Sequence, residues 1–293
     1  MIRLIILVAA FLMMFSEGIQ AQEISYGFRV GLNSSTFLAD EEELNGESLE
    51  SFSYNTGFHV GGGIRVAFSD LWGLRSEIVF TQKGTKRTFE GPSFFVFQDP
   101  AGEIVSMGQK TISLNISNAY LEIPVMVYGK LGRKIEVFGG VYGGFLVGST
   151  ATGELIYENG TIPNNNNLIQ TLQLALDYNY NRDEAGELID AADDIEVQVG
   201  NANEFVTVPN TLTAYYDLEE DEKDGKPFKV FDAGLSAGAA YFLNGGLYFS
   251  AIAQYGLIDV SNTELDFSNT IMNTTRDDQD TNLSFQFSVG FSF

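Results

Sequence analysis

The chemistry open to this chain is limited by a single histidine and by the absence of cysteine. His59 is the one side chain with an ordinary pKa near neutrality, and no serine or aspartate stands at a distinctive spacing from it. Without cysteine there is no thiol nucleophile, no disulfide and no lipidated cysteine. We therefore expect a non-enzymatic protein with no catalytic residues and no cofactor, in which His59 is a hydrogen-bonded interior residue.

Acidic residues dominate the charge of the chain. There are 39 acidic and 16 basic residues, and the net charge of -23 excludes nucleic acid as a partner, because a polyanion requires a basic surface. The segment 220–225 resembles the start of a calcium loop, but the position that needs a bidentate glutamate is Phe231. We expect no metal site of this type, while looser bridging of divalent cations by the carboxylates of residues 217–221 stays open.

The alternation at the end of the chain predicts a strand with one apolar face. From Leu283 to Phe293 every second residue is apolar, and the residues between are small or polar. Successive side chains of a strand point to opposite faces, so one face is hydrocarbon. Seven similar segments precede it, at about Ser25–Leu38, Tyr54–Phe68, Trp72–Phe89, Thr111–Tyr128, Lys134–Ser149, Phe228–Leu243 and Gly246–Val260.

The eight segments are joined by connections that alternate between short and long. The long ones are 39–53, 90–110, 150–227 and 261–280, and they contain 31 of the 39 acidic residues. This alternation favours an all-β fold, an eight-stranded antiparallel up-and-down transmembrane β-barrel with short periplasmic turns and long extracellular loops. Within the largest loop, Leu168–Tyr178 and 183–192 are candidate short helices.

Charged residues of both signs share the glycine-rich face of these segments. The inside of an eight-stranded barrel is just wide enough for side chains to fill, so opposite charges there should pair. We predict a network of ion pairs in the interior, with a conducting pore as the alternative. Its predicted members are Arg29, Arg65, Arg75, Glu77, Lys83, Glu122, Glu136 and Asp232.

Aromatic residues near the segment ends predict two girdles at the membrane interfaces. Pro124 lies within a segment and lacks a ladder donor, which indicates a bulge. The nine girdle candidates are Phe68, Trp72, Tyr128, Tyr241 and Phe293 on the short-turn side, and Phe37, Tyr54, Phe89 and Phe228 on the long-loop side.

The first residues predict export. Arg3 precedes the apolar run Leu4–Phe15, and Ala21 supplies a small residue before a cleavage site. This order is typical of a secretory signal peptide, and a run of about a dozen residues is shorter than the ~20 that span a bilayer as a helix. We expect a signal peptide over residues 1–21 and one barrel domain over 22–293, with the loop 150–227 as an insertion.

Several segments together resemble the PorT-like family of outer-membrane β-barrel proteins. The resemblance rests on GFRVGLN (Gly27–Asn33), LRSEIVFTQKG (Leu74–Gly84), NAYLEIPVMVYG (Asn118–Gly129), VFGGVYGGFLVG (Val137–Gly148) and the closing FQFSVGFSF. It implies a barrel in the outer membrane of a Gram-negative bacterium, surrounded by lipid. The closing Phe291 and Phe293 resemble the signal that is read by the barrel-assembly machinery.

The resemblance does not imply one activity. We expect the long acidic loops to bind an extracellular or envelope protein partner. Because the founding member is associated with type IX secretion, an accessory role in a protein secretion or assembly machine is the alternative. An outer-membrane hydrolase that uses His59 is a further alternative, and a soluble lipocalin-like carrier is the rival at the level of the fold.

Overall fold

The computed structural model describes residues 23–99, 102–162, 168–181, 194–199, 205–212, 226–244, 246–271 and 275–293. The expected signal peptide, the candidate helix 183–192 and the acidic residues 217–224 lie outside the described residues. Among the described residues, no helix has both the length and the apolar character needed to cross a membrane.

The regular secondary structure of the described chain is almost entirely β-strand. A short 3-10 helix, Thr263–Leu265, is the exception. The strands are β1 (Glu23–Leu38), β2 (Glu43–Leu44), β3 (Glu47–Ser48), β4 (Glu50–Ala67), β5 (Trp72–Asp99), β6 (Gly102–Leu131), β7 (Ile135–Thr161), β8 (Leu172–Asn179), β9 (Asp194–Gln198), β10 (Phe205–Pro209), β11 (Thr211–Leu212), β12 (Phe231–Asn244), β13 (Leu247–Gly256) and β14 (Thr281–Ser292).

Most strands pair with their neighbours in the chain, and all but one of the pairings are antiparallel. The main sheet runs in the order β11, β8, β7, β12, β13, β14, β1, β4, β5 and β6, and β6 also pairs with β7. β1 pairs with the C-terminal strand β14 on one side and with β4 on the other, since Gly27 lies opposite both Ser292 on β14 and Gly63 on β4. The expected all-β class is confirmed, and the short hairpin connections fall where the sequence predicted them.

Three of the predicted long loops are partly strand. β2, β3 and the start of β4 lie within the predicted loop 39–53. β5 and β6 stay paired as far as Asp99 and Gly102, and β7 continues to Thr161. The candidate helix Leu168–Tyr178 is wrong, because Leu172–Tyr178 lie in β8, which pairs with the outer part of β7. The reason is the alternation within β8: Leu172, Leu174, Leu176 and Tyr178 occupy every second position and are all buried.

In the part of the sheet near the short hairpin connections, apolar side chains are exposed and polar side chains are buried, the inverse of a water-soluble protein. On β14 the apolar Phe287 is 60% exposed, whereas Gln286 and Ser284 beside it are fully buried. β13 repeats the pattern with Phe249 outside and Gln254 inside. A hydrocarbon face directed outward around a polar interior suits lipid, because water would penalise so much contiguous apolar surface.

This burial pattern reverses on the three longest strands, β5, β6 and β7, at neighbouring positions of the sheet. On β7 the outward residues change from apolar, ending at Val147, to polar, beginning at Thr150 and Thr152. The corresponding changes on β5 and β6 occur near Gln82 and Ala119, which lie opposite each other, and Ala119 lies opposite Gly148 on β7. Because these positions are neighbours in the register, they mark one edge of the apolar belt.

Beyond this edge the strands enclose an apolar core, here called the outer core. β8 lies beside the outer part of β7, and the β9–β10 hairpin contacts β5. Tyr157, Leu172, Leu174 and Val197 are among its fully buried members. The long strands therefore have a polar interior at one end and an apolar interior at the other.

Two local predictions are corrected. The pairing of β6 with β7 runs through Pro124 without a register shift, and its irregularities lie between Met107 and Gln109 and between Ala119 and Tyr120, so the predicted bulge is misplaced. Four predicted girdle residues are buried because they lie on the inward parity, and they pack inside the fold. These are Phe37 at 4%, Phe89 at 1%, Tyr128 at 3% and Phe228 at 8% exposure.

Candidate functional site

Five of the predicted inner charges form one group, here called the lower group, near the short hairpin connections. Glu77 on β5 accepts from Arg29 on β1, whose Nε lies 2.6 Å from Glu77 Oε2, and it also pairs with Arg75 two residues away on its own strand. Glu136 on β7 pairs with Arg65 on β4, and its Oε1 lies 3.4 Å from Arg75 Nη1. Four strands are thereby joined through buried charges.

The other three form the upper group, closer to the edge of the apolar belt. Lys83 Nζ lies 2.5 Å from Glu122 Oε1 and 3.2 Å from Asp232 Oδ2, and all three side chains are buried. Asn282 Nδ2 donates to Asp232 Oδ2 over 3.0 Å. The ammonium also lies 4.1 Å from the ring centroid of Tyr142. The structure thus brings all eight predicted residues into contact, but in two groups.

Aromatic rings that the sequence analysis did not assign to the interior cover the lower group. Arg75 lies over Phe138, with its guanidinium carbon 4.2 Å from the ring centroid. The guanidinium carbon of Arg65 lies 4.9 Å from the Tyr128 centroid and 5.3 Å from that of Phe242. Cation–π contact of this kind stabilises a desolvated guanidinium. The inward parity of Tyr128 and Phe138 was the available signal for these contacts.

His59 is fully buried and hydrogen-bonded at both ring nitrogens. Its Nδ1 lies 2.6 Å from Asn33 Oδ1, and its Nε2 lies 2.7 Å from Ser288 Oγ. This is the order of contacts in a Ser–His–Asn nucleophilic group. No local pattern in the sequence indicates it, because Ser288 and Asn33 are far apart in the chain. Arg29 Nη1 also donates to Ser288 Oγ, over 3.2 Å, and the three residues are buried.

A pocket with a volume of about 40 Å³ lies at the end of the sheet beyond the apolar belt and is partly open to solvent; it is called the outer pocket. Its lining includes Phe37 at the end of β1, Phe228 just before β12, and three charged residues of the connection before β14. The charged residues are Asp266, Arg276 and Asp280. The sequence did not predict this pocket, whose residues come from distant parts of the chain.

Arg276 is the centre of the charges at the outer pocket. Its Nη1 lies 2.9 Å from Glu50 Oε2, its Nη2 lies 2.5 Å from Asp278 Oδ2, and its Nε lies 4.0 Å from Asp266 Oδ2. Nη2 also donates to the backbone carbonyl of Asp40 over 2.6 Å. Arg87 pairs with Glu50 from the other side.

Two carboxyl groups at the outer pocket have raised pKa values. Burial, together with the carboxylates of Asp278 and Asp266, raises the pKa of Asp280 to about 7. Burial and Asp278 raise the pKa of Asp266 to about 6, against the opposing influence of Arg87 and Arg276. Within the described part of the chain, Asp280 Oδ1 is buried and has no hydrogen-bond partner.

The remaining predictions concern a metal site and the C-terminal aromatic residues. The described residues contain no group of three or more His, Asp or Glu side chains that could hold a metal ion, and residues 217–221 lie outside the described residues. The C-terminal Phe291 and Phe293 point outward, at 37% and 69% exposure. Phe293 closes the pairing of β14 with β1, since its backbone exchanges two hydrogen bonds with Tyr26.

Comparison with known proteins identifies the family. The solved structures that this chain matches include Ail of Yersinia pestis, with 9% identity, 92% of this chain and 99% of that chain covered, and a TM-score of 0.35. They also include OprG of Pseudomonas aeruginosa, with 10% identity, 93% of this chain and 97% of that chain covered, and a TM-score of 0.29. The outer membrane protease OmpT of Escherichia coli also matches, with 8% identity, 94% of this chain and 98% of that chain covered, and a TM-score of 0.28. These identities are too low to carry a function across.

No curated protein matches the sequence. The model of the outer membrane protein beta-barrel domain matches residues 20–262, which is most of the chain. The outward apolar belt around a polar interior agrees with that match. The chain therefore belongs to the outer membrane protein beta-barrel domain family and resides in the cell outer membrane.

Proposed function

We propose that this protein is a non-enzymatic outer-membrane barrel that binds an extracellular or envelope protein through a folded β-extension. The observation that carries the proposal is the continuation of β5, β6 and β7 beyond the apolar belt, where they pack with β8, β9 and β10 on the outer core. A preorganised surface of this kind loses less conformational entropy on binding than a loop does.

The barrel itself consists of eight strands, which are β1, β4, β5, β6, β7, β12, β13 and β14. Support comes from the cyclic order of their pairings, in which β6 returns to β7. Its interior is filled by the lower and upper groups and does not conduct ions. Planar-bilayer recordings of the purified chain should therefore lack stable single-channel steps.

Absence of catalysis is the second part of the proposal. His59, Asn33 and Ser288 have the contacts of a nucleophilic group, but their burial leaves no room for a substrate, and Arg29 also engages Ser288. We expect the purified Ser288→Ala variant to have the same hydrolytic activity as the purified wild type. An activity that this substitution abolishes without loosening the fold would favour the hydrolase alternative.

The proposal has three further parts. The chain is a member of the PorT-like family, its short turns lie in the periplasm, and its Phe291 and Phe293 are recognised by the barrel-assembly machinery. The motifs of β1, β5, β6 and β7 and the outward-facing C-terminal aromatics support them. An accessory role in secretion would act instead through Lys130 at the end of β6 and through Arg133 and Lys134 in the turn that follows. The two roles therefore use opposite ends of the barrel.

Site-specific photocrosslinking in intact cells separates these roles. A photoreactive residue at Gln173, which is exposed on β8, samples the extension, and one at Arg133, which is exposed in the turn before β7, samples the other end. We expect a specific protein adduct from position 173 and none from position 133. Adducts from position 133 alone would overturn partner binding by the extension and favour the accessory role.

A further inference from the structure

We propose that the outer pocket binds an organic cation, an ammonium or guanidinium group carried on an apolar body. A basic side chain of the protein partner is the natural source, and only this choice of source rests on the proposed function. The pocket is partly open, since the side chains of Asp266 and Arg276 are each 12% exposed.

The first argument is charge. Four carboxylates, those of Glu50, Asp266, Asp278 and Asp280, share the surroundings of two guanidinium groups, Arg87 and Arg276. With all groups ionised, this cluster therefore has an excess of two negative charges. Burial raises the pKa of Asp280, and the carboxylates of Asp278 and Asp266 raise it further, which agrees with this excess. A bound cation would relieve it.

The second argument is the hydrogen-bonding capacity that remains. Arg276 already donates to Glu50, Asp278 and the carbonyl of Asp40, so it has little capacity to bind an anion. Asp280 lines the same pocket and keeps a buried oxygen without a donor in the described part of the chain. The pocket therefore offers an acceptor, which an ammonium or guanidinium would satisfy.

The third argument is the aromatic wall of the same pocket. Phe37, Phe228 and Tyr180 line the pocket, and the rings of Phe37 and Phe228 lie 6.0 Å apart while those of Tyr180 and Phe228 lie 5.2 Å apart. Aromatic faces attract cations and also exclude water from an apolar chain. An inorganic cation would not use this wall, and Ca²⁺ takes six to eight oxygen ligands.

Binding is tested on the full chain in detergent with phenethylammonium, which joins an aromatic body to an ammonium group. Isothermal titration should show saturable binding, and Asp280→Asn should weaken it at least tenfold. The matched control is Asp177→Asn, on the exposed face of β8, which should leave the affinity unchanged. Thermal unfolding of each variant without the probe shows whether the fold is intact.

Three further probes sharpen the outcome. Phenethyl alcohol keeps the body without the charge and should not bind, and CaCl₂ should not compete with phenethylammonium. Equal affinity in Asp280→Asn and wild type, binding of the alcohol, or displacement by calcium would each overturn the proposal. Nα-acetyl-lysine amide tests the source, since its binding at the same site supports a partner's lysine side chain and its failure assigns the pocket to a free amine.

Failure of this inference is distinguishable from failure of the proposed function. Amine binding that depends on Asp280, without any adduct from position 173, would leave the pocket standing and remove partner binding by the extension. Adducts from position 173 without amine binding would do the reverse.

Discussion

Lys83 on β5 and Glu122 on β6 form a fully buried ion pair, with 2.5 Å between Nζ and Oε1. Asp232 adds a second carboxylate to the same ammonium, so the upper group has one cation and two anions. The lower group has the opposite imbalance, three guanidinium groups and two carboxylates. The formal charges of the eight residues cancel only when both groups are counted, so the two groups are complementary in charge along the interior.

Replacement of Lys83 by methionine should destabilise the fold strongly. The substitution keeps the length of the side chain but leaves Glu122 and Asp232 without their cation, and stranding buried charge in this way costs about 3–5 kcal/mol. Urea unfolding of the purified chain in detergent measures the effect. Lys86→Met, three residues along the same strand and exposed, is the control and should change the free energy of unfolding by less than about 0.5 kcal/mol.

Gly63 should not tolerate a side chain, whereas its neighbour should. A Cβ at Gly63 would lie 2.6 Å from Glu77 Cγ and closer still to the carbonyl oxygen of Ser76, which is backbone and cannot easily move. Gly63→Ala should therefore destabilise the fold by about 1–3 kcal/mol through overpacking. At Gly62, on the other face, the nearest atom is the Gly27 oxygen at 3.6 Å, so Gly62→Ala should be close to neutral. Equal destabilisation of both variants in the same unfolding assay would contradict the packing argument.

The sequence predicted the inner charges because period-two alternation assigns each residue to a face. Arg29 and Glu77 share the inward parity, and that was enough to expect that they meet. It could not predict the outer core, because the extended part of β7 is polar on its outward face and resembles a solvated loop. The inward leucines of β8 were therefore assigned to a candidate helix.

The outer pocket was beyond prediction for a different reason. Glu50 and Arg276 are in contact across more than two hundred residues. No local pattern connects them. The contact depends on the position of the connection before β14, which secondary structure alone does not specify. Tyr128 was misassigned to a girdle for a related reason, since its position at a strand end suggested the interface while its parity pointed inward.

The edge of the apolar belt can be tested on one strand. Val141 on β7 is 55% exposed inside the belt, so Val141→Arg would place a charge in hydrocarbon, at a cost of about 2–4 kcal/mol near the bilayer midplane. Thr152 is exposed on the same strand beyond the edge, and Thr152→Arg should be close to neutral because water surrounds it. Refolding into lipid vesicles followed by urea titration compares the two. Similar destabilisation by both substitutions would place the edge elsewhere.

The outer pocket should make stability depend on pH in one direction. The pKa of Asp280 is raised to about 7 in the folded chain by burial, Asp278 and Asp266, whereas an unfolded aspartate titrates near pH 4. Between about pH 4 and 7 the folded chain therefore binds more protons than the unfolded chain, so this contribution is fully present below about pH 4 and is lost as the pH rises through about 7. The pKa of Asp266 is also raised, so this residue contributes in the same direction, whereas Arg87 and Arg276 lower the pKa of both carboxyl groups.

Asp280→Asn should reduce the downward slope of the free energy of unfolding by up to about 1.4 kcal/mol per pH unit, the value for one proton. Urea titrations in detergent across this window measure the slope, and the exposed Asp177→Asn serves as the control that should keep the wild-type slope. If Asp280→Asn kept the wild-type slope as well, the titrating group would lie elsewhere in the chain.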